Sequence, residues 1–326
     1  MDEAIARANA NVALVQSWGW RTPDLNLPYT GSISLTLDGL CSTARWSNRP
    51  DLDGDRLTIN GRPTTGPTAE RLHAHIERLR RAAGRQTRCA VTIDTGMRRD
   101  GLGALTAAFA ALSLAGSAAL DLNPTPRELS ILARRGTGSA ARSVFGGFVE
   151  VQGGELGDGS DCYAEPLATP EHWPLAVLIA AVRTNGRRGV TAAPAHDLKH
   201  SPFFPAWLEA HDNDLESLRA AVLARDLERL GSVMEHNCLK ARAVALAAVP
   251  PLITFAPATV AVIERVHELR AAGCAAYFTV GAGPHVTVLC APADSRVVAA
   301  ALADTPGVAD VLQSAPGEAA ALVSAA

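Results

Sequence analysis

The spacing of apolar residues predicts both strands and helices in the first third of the chain. Segment 31–40, GSISLTLDGL, alternates apolar and polar residues as a half-buried strand does, and 55–63 and 88–94 have a similar character. Segment 68–84 spaces its apolar residues three and four apart and ends at a glycine, which is typical of an amphipathic helix. Segment 101–120 is almost wholly Ala and Leu, so it predicts a buried helix, because an exposed face would need polar residues.

The same criteria extend the prediction to the rest of the chain. In chain order the further elements are a helix over 125–135 capped by Thr125 and Glu128, a turn entering a helix and a strand over 136–151, a buried strand over 172–183, one or two helices over 213–248, a helix over 259–273, a strand–turn–strand over 277–290 and a terminal helix over 295–308. Strands come in runs and so do helices. This indicates an α+β fold, divided near residue 185 into domains of residues 1–185 and 186–326.

The composition fits a folded protein and argues against two classes of partner. Of the 326 residues, 48% are hydrophobic and 19% are charged, so a sizeable core is expected. The formal charge of −3 gives no positive field for nucleic acid or for an anionic membrane surface. The acidic start lacks a signal-peptide pattern, and no apolar run reaches the about 20 residues of a membrane span, so a cytoplasmic protein is expected.

The cysteines and histidines do not predict a metal site. None of the six cysteines lies in a CxxC pair and several lie in apolar runs, which favours free buried thiols; a zinc site or a disulfide framework is the alternative. The nine histidines show neither HExxH nor metal-ligand spacing. No metal is therefore assigned.

Segment 136–142, GTGSAAR, has the composition of an anion-binding turn. Its glycines expose backbone N–H groups, Thr137 and Ser139 add hydroxyl donors, and a helix start and Arg142 add positive charge. The alternative is a capped helix with a solvated arginine, and the upstream basic pair Arg134 and Arg135 favours the anion interpretation slightly.

Two further stretches carry weaker signals. Segment 95–106, TGMRRDGLGALT, leads into the predicted buried helix and resembles a phosphate loop, but Ala104 and Leu105 stand where such loops carry hydroxyls, and Thr106 is the only hydroxyl nearby. A plain strand–turn–helix is favoured there. Segment 10–20, ANVALVQSWGW, predicts a strand with core aromatics and by itself no function.

Taken together, five segments resemble the diphosphomevalonate decarboxylase family of the GHMP small-molecule kinase superfamily. They are ANVALVQSWGWRTPDLNLPYTGSISLTL, ARRGTGSAARSVFGGFVE, DCYAEPL, SPFFPAWL and YFTVGAGPHVTVLC, and the resemblance runs from about residue 8 to 318. It implies a GHMP kinase-like two-part fold, with an N-terminal ribosomal protein S5 domain 2-like part, a C-terminal α/β sandwich part and an active site in the cleft between them.

The resemblance also implies a lyase of isoprenoid biosynthesis in the mevalonate pathway. The family uses Mg-ATP to phosphorylate the 3-hydroxyl of mevalonate 5-diphosphate, and loss of that phosphate with carbon dioxide then gives isopentenyl diphosphate. By resemblance, Asn11 and Arg142 stand at the carboxylate and hydroxyl of the substrate. The positions that would serve the substrate phosphates are Arg71, Thr137, Gly138 and Ser139.

Several catalytic positions of the family are substituted. Gln16 and Ser17 stand for a lysine and a tyrosine, Trp20 for a second lysine, Met97 and Arg98 for a proline and a threonine, Ala104 and Leu105 for two serines, Gly281 for the catalytic aspartate and His285 for an asparagine. Replacing a general base costs about 10²–10⁴-fold in rate. The substitute groups considered are Trp20, His285 as a new base, and Arg98 and Arg99 for the lost charge of the nucleotide loop. The degenerate nucleotide loop itself consists of Arg98, Arg99, Gly101, Gly103 and Thr106.

Three functional hypotheses follow. The first is a repurposed enzyme that binds a small mevalonate-like 3-hydroxy acid, or a related anion, with ATP-dependent phosphoryl transfer impaired or lost. The second is a functioning diphosphomevalonate decarboxylase or 3-hydroxy-acid kinase that uses substitute residues, and the third is a non-catalytic binding relative. The expected partner is a small anionic molecule, the altered loop argues against Mg-ATP, and a homodimer is left open.

Overall fold

The computed structural model describes residues 2–96, 102–183 and 198–323. Its strands are β1 Glu3–Val15, β2 Trp20–Thr22, β3 Leu27–Pro28, β4 Ser32–Asn48, β5 Arg56–Ile59, β6 Arg62–Pro63, β7 Cys89–Thr95, β8 Phe148–Val151, β9 Ala164–Ala168, β10 Ala176–Val182, β11 Ala276–Val280, β12 Val286–Cys290, β13 Val308–Ser314 and β14 Ala321–Leu322. Its α-helices are α1 Gly66–Ala83, α2 Ala104–Ala119, α3 Pro126–Gly136, α4 Phe204–Glu209, α5 His211–Ala224, α6 Leu227–Leu246, α7 Pro257–Ala271 and α8 Ser295–Ala303.

The first sheet is organised around the long strand β4. Its order is β14-β1-β4-β7-β5-β6, with β8 added beside β4 and β9 beside β8. One side of β4 pairs with β1, and the other side pairs with β8 near its start and with β7 near its end. The apolar helix α2 packs on β1 and β4, and most of its residues are buried on every side, as the Ala/Leu composition predicted.

The second sheet is antiparallel and holds the C-terminal core. Its order is β11-β12-β10-β13, and α6, α7 and α8 pack against it. β10 lies in this sheet although it precedes residue 185. The predicted division near residue 185 falls outside the described residues and stays a prediction.

Most predicted elements are present, and the differences are local. Thr125 and Glu128 form the predicted capping box, and the segment 213–248 forms two helices, α5 and α6. The segment 295–308 is a helix only as far as Ala303, after which the chain turns into β13. The short strands β9 and β14 were not predicted, because each shows too few residues for an alternating pattern.

Three expectations from composition can be compared with the structure. All six cysteines are free, although Cys41 and Cys274 are only partly buried. Within the described ranges, no group of three or more His, Cys, Asp or Glu side chains could hold a metal ion. In the same part of the chain, no helix is both long and apolar enough to cross a bilayer.

Candidate functional site

Asn11 and Arg142 form the centre of a polar network at the predicted anion-binding turn. Asn11 Nδ2 donates to Ser143 Oγ at 2.8 Å and to the Ser139 carbonyl at 3.1 Å. Its Oδ1 accepts from Arg142 Nε at 3.0 Å, and Arg142 Nη1 donates to Ser32 Oγ at 2.8 Å. The network thus holds the Arg142 guanidinium in one orientation, as a preorganised anion site requires.

Local chain geometry brings these two residues together across 131 positions. The pairing of β1 with β4 shifts register between Asn9 and Asn11, and such a bulge redirects a side chain out of the regular ladder. Arg142 lies on a 3-10 helix, Gly138–Val144, that follows α3 directly. A side chain at Gly136, the last residue of α3, would overlap the Phe109 ring, so glycine there lets the turn approach α2 closely.

Arg142 carries a charge that the protein does not neutralise within the described residues. It is partly buried, forms no salt bridge there, and its Nη2 makes no hydrogen bond to that part of the chain. Burial lowers the pKa of Arg142 to about 10, so the guanidinium remains protonated at neutral pH. A small anion is the partner that this arrangement favours.

Arg71, Thr137 and Gly138 lie around the same turn, and Trp20 lies beside them. Arg71 donates to the Gly136 carbonyl at 3.3 Å and lies over the Phe109 ring, and burial lowers its pKa. A Cβ on Gly138 would lie 3.7 Å from Trp20 Nε1. The indole N–H therefore lies next to the turn.

The predicted nucleotide loop is only partly described. Arg98, Arg99 and Gly101 lie outside the described residues. Gly103 has a left-handed φ of +84°, and Thr106 Oγ1 lies 2.7 Å from Ser139 Oγ. The hydroxyl of Thr106 is thus bonded to the anion-binding turn.

Gln16, which the resemblance places at a lysine position of the family, has a structural role in this chain. It is 3% exposed, and its Nε2 donates to Thr279 Oγ1 at 3.1 Å and to the Val280 carbonyl at 2.9 Å. Its Oε1 accepts from Trp18 Nε1 at 2.9 Å. A neutral amide held by these bonds ties β1 to β11 and offers neither a charge nor a transferable proton.

Gly281 opens the turn between β11 and β12 and is exposed. A Cβ built on it has no other atom within 4 Å, so the space beside it is open.

His285, the predicted substitute base, is 9% exposed, and its Nδ1 accepts a hydrogen bond from the Val182 N–H at 3.1 Å. That nitrogen is therefore engaged in holding β10 and is not available as a base.

Arg242 is a residue of this region that the sequence analysis missed. It lies on α6 and is 2% exposed, its guanidinium is 4.4 Å from the centre of the Trp18 ring, and it donates to the carbonyls of Val280 and Gly281. Burial lowers its pKa to about 10. The available signal was its i+4 spacing from Cys238, which is also buried on α6.

A groove lined by other residues is also present. It has a volume of about 600 Å³ and lies between β8 and α5, where Glu150 pairs with Arg219 at 2.6 Å and Asp212 and Glu216 also face the groove. It contains none of the network residues, and its excess of carboxylates makes it a poor fit for an anion.

Comparisons with known proteins agree with the geometry. Residues 8–164 match the family model described as the diphosphomevalonate decarboxylase-like N-terminal domain. A diphosphomevalonate decarboxylase of Ganoderma lucidum is 30% identical over 88% of this chain and 78% of the relative, and a phosphomevalonate decarboxylase of Haloferax volcanii is 30% identical over 82% of each. The crystal structure of the Staphylococcus aureus mevalonate diphosphate decarboxylase matches with a TM-score of 0.92 and 29% identity, over 99% of this chain and 98% of that one. The predicted α+β fold of the GHMP kinase type is confirmed.

Proposed function

This chain belongs to the diphosphomevalonate decarboxylase-like family and has its GHMP kinase-like fold, and from that premise we propose a repurposed member of the family. It binds a small mevalonate-like 3-hydroxy acid or a related anion, and it does not carry out the family's ATP-dependent phosphoryl transfer. The expected place of action remains the mevalonate pathway or a branch from it.

The Asn11–Arg142 network is the observation that carries the first half of the proposal. Both residues retain the family's donors, and Ser32, Ser139 and Ser143 hold them in place. A carboxylate that pairs with Arg142 would supply the charge that the described residues leave uncompensated. A neighbouring 3-hydroxyl can donate to Asn11 Oδ1, which keeps a second lone pair beside the bond from Arg142 Nε, so a 3-hydroxy acid matches the groups that are available.

The second half of the proposal, the loss of phosphoryl transfer, rests on the absence of a carboxylate at position 281. Gly281 has no carboxylate to accept the 3-hydroxyl proton, and the Gln16 amide is held by the end of β11. Loss of a general base alone costs about 10²–10⁴-fold in rate. Loss of a lysine removes a charged hydrogen bond of about 1.5–3 kcal/mol, although the two losses are not additive within one site.

The described part of the nucleotide loop does not fit Mg-ATP. Ala104 and Leu105 provide no hydroxyl for a metal ion or a phosphate, and the Thr106 hydroxyl already bonds to Ser139. Phosphoryl transfer depends on the placement of metal and phosphate more than on covalent chemistry. We therefore assign no step to the nucleotide.

The experiment that tests the proposal measures binding and ADP release on one preparation. Mevalonate, its 5-phosphate and its 5-diphosphate are titrated by calorimetry with and without Mg-ATP, and ADP is followed by a coupled assay. We expect at least one acid to bind saturably with no ADP above the buffer control. Stoichiometric ADP release with any of the acids would contradict lost transfer, and absence of binding by all three would contradict a retained pocket.

A second candidate function is a working decarboxylase for a substrate with a single phosphate. The observation that favours it is Trp20, whose neutral indole N–H lies beside Gly138 in place of an ammonium group. Less positive charge there suits a monophosphate better than a diphosphate. The name of the Haloferax volcanii relative, phosphomevalonate decarboxylase, supports the same substrate. ADP release with the 5-phosphate and not with the 5-diphosphate would identify this case.

A further inference from the structure

Two arginines of α1 converge on the end of α3. Arg71 Nη2 donates to the Gly136 carbonyl at 3.3 Å, and Arg78 Nη1 donates to the Arg135 carbonyl at 3.0 Å. The two arginines lie about two helical turns apart, so their Cα atoms are separated by about 10 Å on one face of α1. Because the two carbonyls belong to consecutive residues, the guanidinium groups lie much closer together than that. The family resemblance assigns a role to Arg71 and none to Arg78.

The carbonyl that Arg78 binds is connected to the anion-binding turn by Asn26. Asn26 Nδ2 donates to the same Arg135 carbonyl at 3.3 Å. The Cβ of Asn26 lies 3.9 Å from the position of a Cβ on Gly138, and Trp20 Nε1 lies 3.7 Å from that position. A single side chain therefore spans the distance from the Arg78 contact to the turn beside Trp20.

Arg78 keeps an unused pair of donors. Within the described ranges its Nε and Nη2 make no hydrogen bond, and no carboxylate forms a salt bridge with it. The side chain is half-buried, and neither nitrogen is among the buried polar atoms that lack a partner, so both reach solvent. Nε and Nη2 form one edge of the planar guanidinium, and such an edge binds two oxygens of a phosphate at once.

The charges around Arg78 are mostly positive. Burial lowers the pKa of Arg78, and repulsion from Arg135 and Arg81 lowers it further, while the exposed carboxylate of Asp24 acts in the opposite direction. The guanidinium stays protonated at neutral pH, since an arginine pKa lies far above 7. Several like charges that are held close together favour an anion with more than one negative charge, which describes a phosphate better than a carboxylate.

We propose that Arg78 binds a phosphate group of the ligand together with Arg71, and that it makes the pocket selective for a phosphorylated 3-hydroxy acid. The Arg135 carbonyl holds Nη1, and the free edge of the guanidinium faces the phosphate. Trp20 contributes a neutral N–H on this side of the turn, so the positive charge there comes from the two arginines. The inference rests on the proposed function for the acid part of the ligand and adds the phosphate to it.

The test compares mevalonate, which has no phosphate, with mevalonate 5-phosphate by calorimetry on the full chain. Arg78→Gln should raise the dissociation constant of the 5-phosphate by about tenfold or more and leave that of mevalonate within about twofold of the wild type. The bond to α3 also caps that helix, and a role limited to capping would weaken both acids equally. Equal losses for both acids, or an unchanged constant for the 5-phosphate in the folded variant, would overturn the inference.

The matched control is Arg265→Gln on α7, which removes the same charge from an arginine that pairs with Glu268. Both dissociation constants should stay at the wild-type values in this variant, and a tenfold loss there would mean that net charge alone sets the affinity, contrary to the inference. Arg78→Lys keeps the charge but has one nitrogen in place of the free edge, so it should bind the 5-phosphate about threefold or more weakly than the wild type. If Arg78→Gln does not fold, wild-type affinity of Arg78→Lys for the 5-phosphate overturns the inference.

Inorganic pyrophosphate separates this inference from the proposed function. It has no carboxylate, and it should bind saturably to the wild type and about tenfold more weakly to Arg78→Gln. Absence of binding by both acids, with this difference for pyrophosphate present, would contradict the proposed function and keep the phosphate contact. Pyrophosphate binding that is absent, or equal in the two proteins, would overturn the inference and leave mevalonate binding, and with it the proposed function, in place.

Discussion

Arg142→Gln should weaken the binding of mevalonate or its phosphates by about 10- to 100-fold, because a charged hydrogen bond is worth about 1.5–3 kcal/mol. The physical reason is that the described residues provide no counter-charge for this guanidinium, so the ligand carboxylate fills that role. Arg142→Lys should recover only part of the affinity, since an ammonium group cannot reproduce the planar donor pair of a guanidinium. Calorimetric titration of the wild type and both variants provides the measurement.

The control for this prediction is Arg45→Gln. Arg45 is half-exposed on β4 and pairs with Glu3, so its replacement makes the same change in net charge away from the site. The dissociation constant of mevalonate for this variant should match the wild-type value.

Binding of mevalonate to the wild type should also be constant between pH 6 and 9 and weaken as the pH passes about 10, the pKa of Arg142. Unchanged affinity in a folded Arg142→Gln variant would rule out this residue as the carboxylate anchor.

Gly281→Asp should leave the fold intact and the family reaction absent. The structure accommodates the new side chain because a Cβ on Gly281 has no neighbour within 4 Å. Turnover should nevertheless stay at background, since the Gln16 amide remains bonded to β11 and the Thr106 hydroxyl to Ser139. ADP release with mevalonate 5-diphosphate and Mg-ATP is the measurement, and unfolding in urea checks that the variant is folded.

Gly157→Asp is a suitable control for this substitution, since it adds the same charge at an exposed position with open space around it. It should behave as the wild type in both measurements. Robust decarboxylation by Gly281→Asp would mean that the missing carboxylate alone accounts for the lost reaction. The remaining substitutions would then be secondary, contrary to the account given above.

The sequence predicted the fold class and most elements because their periodicity is local. The helix α3 shows its apolar spacing, its capping box and its basic last turn within about a dozen residues. The elements at the C-terminal end of the described chain were harder to predict from the sequence. β14 pairs with β1 in the first sheet, and β13 pairs with β10 in the second sheet. Both positions are defined only by pairing with strands that are distant in the sequence.

The candidate site was predictable in part. Segment 136–142 showed the composition of an anion-binding turn, but its contact with Asn11 spans 131 positions and came only from the family resemblance. For Arg242 the available signal was its i+4 spacing from Cys238, and that spacing does not identify a buried arginine. On an amphipathic helix an arginine normally faces solvent, and only tertiary packing against Trp18 shows that this one is buried.

The most direct measurement of the central claim is a crystal structure of the protein grown with mevalonate 5-diphosphate and Mg-ATP. The account predicts electron density for the acid, with its carboxylate at Arg142, and none for nucleotide at residues 102–106. Density for ATP along those residues, with its terminal phosphate directed at the 3-hydroxyl of the acid, would contradict it.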